Sequence, residues 1–173
     1  MMTLITGGSK CGKSSCAEKI FSNIHIRKLY IATMIPYGNE AHVAIERHRN
    51  MRRGKGFETI EKYTDIHEIL LTGNSAVLLE CMGNLCANEM FCVDKVVDPT
   101  EKIIRGVRHL SSIAKEMVIV TNQVGDDGID YAEETAEYIR ILGEINRRIA
   151  EFSDNVIECV YGIPVVLKGA LPC

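Results

Sequence analysis

Strand-like and helix-like segments alternate along this 173-residue chain, which predicts an α/β fold with a mostly parallel sheet flanked by helices. Two further observations sharpen that expectation. The run Gly7-Gly8-Ser9-Lys10-Cys11-Gly12-Lys13-Ser14 matches G-x-x-x-x-G-K-[ST] between the first strand and the first helix, which specifies a P-loop NTPase fold. The tail "NVIECVYGIPVVLKG" reads as two strands joined at Tyr161–Pro164, adding a C-terminal antiparallel hairpin.

The elements follow in order. "TLIT" at 3–6 is a strand, and residues 13–23 form a helix. "KLYIAT" at 28–33 is the second strand. "NEAHVAIERHRNMRR" is a helix, with Ala41, Ala44, Ile45 and His48 at i, i+3, i+4 and i+7. "FETIE" is a short strand, and "DIHEILL" fits a helix of about two turns. "SAVLLE" at 75–80 is apolar enough for a strand buried on both faces. "GNLCANEMF" and residues 100–115 are helices, and "MVIVTN" at 117–122 is another buried strand. The loop "QVGDDGID" then leads into a long amphipathic helix ending near Phe152. No linker, repeat or low-complexity stretch interrupts the series, so residues 1–173 are expected to form a single domain.

Composition narrows the function. Hydrophobic content of 46% and charged content of 25% are those of a soluble globular protein, and the net charge of −3 argues against nucleic-acid binding. No apolar run approaches the ~18–20 residues that span a bilayer, and the N-terminus lacks the features of a signal peptide, so a cytoplasmic protein is expected. The seven cysteines are odd in number and contain no C-x-x-C pair, which points to reduced thiols rather than a disulfide framework or a zinc site.

The phosphate loop carries the strongest chemistry. Its glycines allow turns that aim successive N–H groups at phosphate oxygens, and the helix beginning near Lys13 adds its positive end. Lys13 is expected to reach the β- and γ-phosphates and Ser14 to ligate Mg²⁺. A carboxylate at the end of a neighbouring buried strand completes such a site, and Glu80 is the candidate. At the other strand end, Thr121, Asn122 and Gln123 can hydrogen-bond but cannot neutralise a metal. Cys11 lies where a helix N-terminus makes thiols reactive, so alkylating it is expected to block nucleotide binding.

His48 poses a separate question. Arg47, Arg49, Arg52, Arg53 and Lys55 surround it, five of the twenty Lys and Arg residues within nine positions. A P-loop kinase needs no histidine nucleophile. Cations around an imidazole favour its neutral, nucleophilic form, and arginines stabilise charge developing on an attacked phosphate. A phospho- or nucleotidyl-histidine fits that setting, and so does a half-buried histidine extending an apolar stripe. His25, His67 and His109 read as solvated, and His42 lies off the His48 face.

Taken together, "TGGSKCGKSSCAE", "LYIAT", "ERHR", "FETIE", "VLLECMGNLCAN", "VIVTNQVG", "GEINRRIAE" and "VYGIPVVLKG" resemble, over nearly the whole chain, the bifunctional adenosylcobinamide kinase/adenosylcobinamide-phosphate guanylyltransferases of cobalamin biosynthesis. The resemblance implies ATP and GTP as substrates, adenosylcobinamide and its phosphate as acceptors, and a homotrimer. It implies two transfers: phosphorylation of the acceptor hydroxyl, then transfer of GMP through a guanylylated histidine, which falls on His48. It also implies that Thr33, Met34 and Ile35 line the nucleotide site, that Arg49, Asn50, Met51 and Arg52 continue it, and that Glu61 and Glu80 complete it. Glu61 suits guanine, since a carboxylate accepts from N1–H and the 2-amino group.

The chain departs from the family pattern at three places. Ala44 stands where an arginine is usual, Gln123 replaces a carboxylate, and the segment after "TNQVG" is acidic at Asp126, Asp127, Asp130, Glu133, Glu134 and Glu137. Two other functions stay open on the sequence: a simple small-molecule P-loop kinase with a structural His48, and a GTP-binding module that has lost one or both transfers.

Overall fold

The computed structural model describes residues 1–91, 97–125 and 127–172. Asp126 of the acidic segment and two of the seven cysteines, Cys92 and Cys173, lie outside the described residues. Among the described residues seven strands form one sheet in the order β3-β2-β4-β5-β1-β6-β7. They are β1 (Met2–Thr6), β2 (Arg27–Ala32), β3 (Phe57–Glu61), β4 (Ser75–Glu80), β5 (Glu116–Val120), β6 (Asn155–Val160) and β7 (Ile163–Lys168). All neighbours run parallel except β6 and β7.

Alternation along the strands divides the core in two. Leu29, Ile31, Val77, Leu79, Met117 and Ile119 face α3 (Met82–Phe91), α4 (Thr100–Ile113) and α5 (Glu133–Phe152). Tyr30, Leu78, Val118, Val120 and Ile157 face the other way, where α1 (Lys13–Ile20) packs Cys16, Ala17 and Ile20. Helix α2 (Gly38–Arg52) lies on this second face, with Arg52 over the Tyr30 ring. A period of two feeding both layers is why the central strands read as continuous apolar runs.

Three local expectations are corrected. The first helix ends at Ile20 and tightens into a 3₁₀ turn over Phe21–Asn23, where Ser22 Oγ donates to the Lys19 carbonyl and competes with helix continuation. "DIHEILL" makes a single 3₁₀ turn, Ile66–Glu68, instead of two helical turns. Asp65 precedes it in the left-handed region, and Ile69 goes extended, its side chain in the core and its carbonyl at 3.1 Å from His109 Nε2. The hairpin turns on Tyr161 and Gly162, both at positive φ, as two-residue hairpin turns require. Pro164 lies within β7, where an edge strand needs no N–H from it.

Parallel pairing brings the carboxyl ends of five strands to one edge. Ala32 is level with Glu61 and Glu80, Glu80 with Val120, and Ile5 with Val120. Ligands of open α/β sheets bind at such an edge.

Candidate active site

The loop after β1 is shaped by residues that only certain backbones allow. Gly7, Lys10 and Gly12 have positive φ, and Gly12 sits just before α1. A Cβ on Gly7 would lie 2.5 Å from the Cys159 carbonyl oxygen, so no larger residue fits without moving the loop. Gln123 N–H donates to the Gly7 carbonyl at 3.1 Å and Gly162 N–H to the Cys11 carbonyl at 2.7 Å, seating the loop on β5 and the hairpin. Lys13 is buried and its ammonium donates to the carbonyls of Gly7 at 2.9 Å and Gly8 at 2.5 Å.

Beside the loop lies a cleft of ≈ 260 Å³. Ser9, Lys10, Cys11, Gly12, Lys13 and Ser14 form one wall. The opposite wall comes from α2, with Arg47, His48, Arg49 and Arg52, and from Glu61 at the end of β3. Met34 and Glu80 line it from the ends of β2 and β4. The α2 stripe of the sequence explains this placement: Ala41, Ala44, Ile45, His48 and Met51 are half-buried along one face, and Arg52 continues it as a buried residue.

Glu80 is the centre of the polar contacts. It is 8% exposed, accepts from Ser14 Oγ, and accepts from the Tyr30 hydroxyl at 3.1 Å. His48 Nδ1 lies 3.6 Å from Glu80 Oε1. Burial, with the Glu80 carboxylate adding to it, pushes the Tyr30 phenol well above its ordinary range, so it remains a donor. The Tyr30 ring also carries the Arg52 guanidinium, 3.3 Å from its centroid. Arg52 Nη1 is buried with no acceptor among the described residues, a donor left to meet an anion. Ser14 and Glu80 together offer hard oxygen donors of the kind that bind Mg²⁺.

The cations near His48 divide. Arg47, Arg49 and Arg52 share its cleft, and Arg49 also pairs with Glu61 at 2.9 Å. Lys55 reaches away to the buried Glu18 of α1. Arg53 and Asn50 border a neighbouring hollow that shares Arg49 and Arg52.

Some expected residues are turned elsewhere. Thr33 is fully buried: its hydroxyl donates to the Cys81 carbonyl and accepts from the Cys81 N–H, each at 2.8 Å, clipping β2 to β4 instead of facing the cleft. Ile35 does not line it; its carbonyl accepts from Tyr37 N–H at 2.8 Å. Met51 is half-buried on α2 and also lies off the lining. Gln123 donates to Glu158 at 3.0 Å. In the acidic segment Asp127 accepts from Tyr131, and Glu137 pairs with Arg140 at 2.7 Å. His109 and His67 are half-buried rather than solvated, whereas His25 is exposed.

Tyr30, Asn84 and Asn122 also line the cleft. Tyr30 sits in an apolar strand, where the alternation marks it as core and gives no sign of its hydroxyl. Asn84 had a usable signal, a polar residue in the first turn of a helix that follows Glu80. A second group, Asp65, His67 and Glu68, lies close enough together to hold a cation, but Lys102 pairs with Asp65 at 2.7 Å and Lys62 with Glu68 at 2.6 Å.

Comparison with known proteins adds the family. Residues 3–167 match the family described as cobinamide kinase / cobinamide phosphate guanyltransferase. The bifunctional adenosylcobalamin biosynthesis protein CobU of Escherichia coli K12 is 30% identical, over 97% of this chain and 100% of that protein. The CobU protein of Salmonella typhimurium is also 30% identical, with the same coverage. The bifunctional adenosylcobalamin biosynthesis protein CobP of Pseudomonas aeruginosa is 27% identical, over 98% of each chain.

Proposed function

This chain belongs to the cobinamide kinase / cobinamide phosphate guanyltransferase family, and on that premise we propose that both transfers run in the one cleft between the phosphate loop and α2. The protein is a bifunctional kinase and nucleotidyltransferase of adenosylcobalamin biosynthesis, as its relatives are. The observation that carries the reading is the convergence of Lys13, His48, Arg52 and Glu80 on that cleft.

In the kinase step the hydroxyl of adenosylcobinamide attacks the γ-phosphorus of ATP or GTP. The new P–O bond forms, the bond to the β-phosphate oxygen breaks, and the hydroxyl proton is lost to solvent. Glycine N–H groups of the loop and Lys13 hold the triphosphate, and positioning with charge stabilisation suffices. Ser14 and Glu80 would hold Mg²⁺, which when bound neutralises phosphate charge.

In the second step His48 attacks the α-phosphorus of GTP, forming a P–N bond as pyrophosphate leaves. A proton on Nδ1, facing Glu80, leaves the Nε2 lone pair free for attack. Arg47, Arg49 and Arg52 stabilise the charge on the attacked phosphate. The phosphate oxygen of adenosylcobinamide phosphate then displaces His48, giving adenosylcobinamide-GDP. Glu61 reads the guanine edge, with Arg49 and the Tyr63 hydroxyl, 3.0 Å away, holding its carboxylate.

The reading extends to the whole protein. One domain carries both transfers in the cytoplasm, and no helix among the described residues is long and apolar enough to cross a membrane. A homotrimer is supported by the exposed apolar residues of edge strand β7, Ile163, Val165, Val166 and Leu167.

A second reading keeps the kinase alone and gives His48 only the task of orienting Glu80, which their 3.6 Å approach favours. Product analysis separates the two. With adenosylcobinamide, Mg²⁺ and GTP, the protein should yield adenosylcobinamide-GDP, and His48→Ala should stop at adenosylcobinamide phosphate. Phosphate alone from both proteins would leave the plain kinase.

A further inference from the structure

Three free thiols gather behind the phosphate loop, and neither transfer uses them: Cys11, Cys16 and Cys159. Cys11 borders the cleft, with the Lys13 ammonium 3.9 Å from its sulfur. Cys159, in β6, is 1% exposed, and its thiol donates to the Cys11 carbonyl at 3.2 Å. Burial first, and then the neighbouring Cys11, hold the Cys159 thiol above its ordinary range. The loop glycines stand beside these sulfurs. A Cβ on Gly12 would stand 3.6 Å from Cys159 Sγ, and one on Gly7 would stand 2.9 Å from Cys11 Sγ. One thiol is therefore reachable from the cleft, and its partner is held directly behind it on a rigid strand.

We propose that Cys11 and Cys159 are a modification site: low-molecular-weight disulfides such as oxidised glutathione convert them to an intramolecular disulfide that reversibly shuts the phosphate loop. The Cys11 thiolate attacks one sulfur of the reagent, forming a mixed disulfide and releasing one thiolate, which takes up a proton. Cys159 gives its proton to solvent, and its sulfur attacks the Cys11 sulfur. The Cys11–Cys159 bond forms as the bond to the reagent breaks, releasing the second thiol. The two protein thiols lose two electrons and the reagent gains them.

A disulfide bond of about 2.05 Å is far shorter than any contact between two separate thiols, so closure draws Cys11 toward β6. That displaces the N–H groups of a loop whose geometry is set by Gly7 and by the Gly162 contact. The inference rests on the reading that this loop binds nucleotide. A shift of about 1 Å at such a site costs on the order of 100-fold in rate.

The test uses reduced protein incubated with oxidised glutathione, with remaining thiols blocked by N-ethylmaleimide and peptides mapped by mass. GTP affinity is measured before oxidation, after it, and after dithiothreitol. The expected result is a Cys11–Cys159 link without retained glutathione, loss of GTP affinity, and recovery on reduction. Cys159→Ser, which keeps a donor for the Cys11 carbonyl, should trap glutathione on Cys11. Glutathione retained on Cys11 in the unmodified sequence, a link to Cys16, or a Cys11–Cys159 link with unchanged GTP affinity would overturn the proposal. A reduced protein that binds no GTP would instead strike the nucleotide reading, and the peptide map would still decide the pairing.

Discussion

Tyr30 donates to Glu80 at 3.1 Å while its ring carries the Arg52 guanidinium at 3.3 Å, so one buried side chain orients both a carboxylate and the cation proposed to meet phosphate. Tyr30→Phe removes only the first contact. It should cost about 1.5–3 kcal/mol of stability, the worth of a buried hydrogen bond to a charged group. It should also raise the Mg²⁺ concentration needed for GTP binding; thermal melts and Mg²⁺ titrations check both, and an unchanged Mg²⁺ requirement would deny Tyr30 this positioning role. Gly7→Ala tests the loop from the other side. The added methyl meets the Cys159 carbonyl at 2.5 Å in a backbone with φ of 142°, so nucleotide binding should be lost and stability should fall by about 1–3 kcal/mol. The phosphate loop, His48 and Glu80 were legible as single residues because each breaks its local pattern. Tyr30 and Thr33 were not: Tyr30 belongs to a strand with an ordinary apolar alternation and Thr33 directly follows it, and only the fold shows that one hydroxyl meets Glu80 while the other meets Cys81.

Among the elements, α2 shows how periodicity positions chemistry. Its half-buried stripe turns His48 and Arg52 to the cleft, while Arg53 and Lys55, close in sequence, point elsewhere. The stripe was readable, but the split among the cations was not, since it depends on Glu18 and Glu61 arriving from other elements. The stretch 65–71 misled for the same reason: its i, i+3 apolar spacing fits a helix, yet Ile66 and Ile69 reach the core from a single turn. That turn and the start of α4 carry an acid sensitivity. The hydrogen bond from Lys102 holds the Asp65 carboxyl below its ordinary value of 3.8, and Thr100, whose N–H donates to Asp98 at 3.0 Å, does the same for the Asp98 carboxyl. Folding depresses both, so their stabilisation is full above about pH 4 and is lost as pH falls through the lowered values. Urea melts between pH 5 and pH 2 should show falling stability, and Asp65→Asn with Asp98→Asn should flatten the slope; an unchanged slope would place the sensitivity elsewhere.

For the molecule as a whole, the strand order decides what can meet. With β5 between β1 and β4, the phosphate loop and Glu80 stand on opposite sides of one strand end, and β2 and β3 bring Met34 and Glu61 to the same edge. The alternation of elements foretold a parallel sheet and the antiparallel hairpin, but not this order, because pairing between distant strands leaves no mark on local pattern. The far edge ends in β7, whose exposed apolar residues call for a cover. On the proposed trimer, Val165→Lys with Leu167→Lys should shift sedimentation toward monomer, and a monomer already present without them would refute the assembly. The most direct test of the central claim, that one cleft performs a covalent nucleotidyl transfer, uses GTP labelled separately at the α- and γ-phosphates with Mg²⁺. The α-label should become bound to the protein, survive alkali, dissolve in acid and vanish in His48→Ala, while the γ-label leaves as pyrophosphate. A protein that binds GTP and takes up no α-label would contradict it.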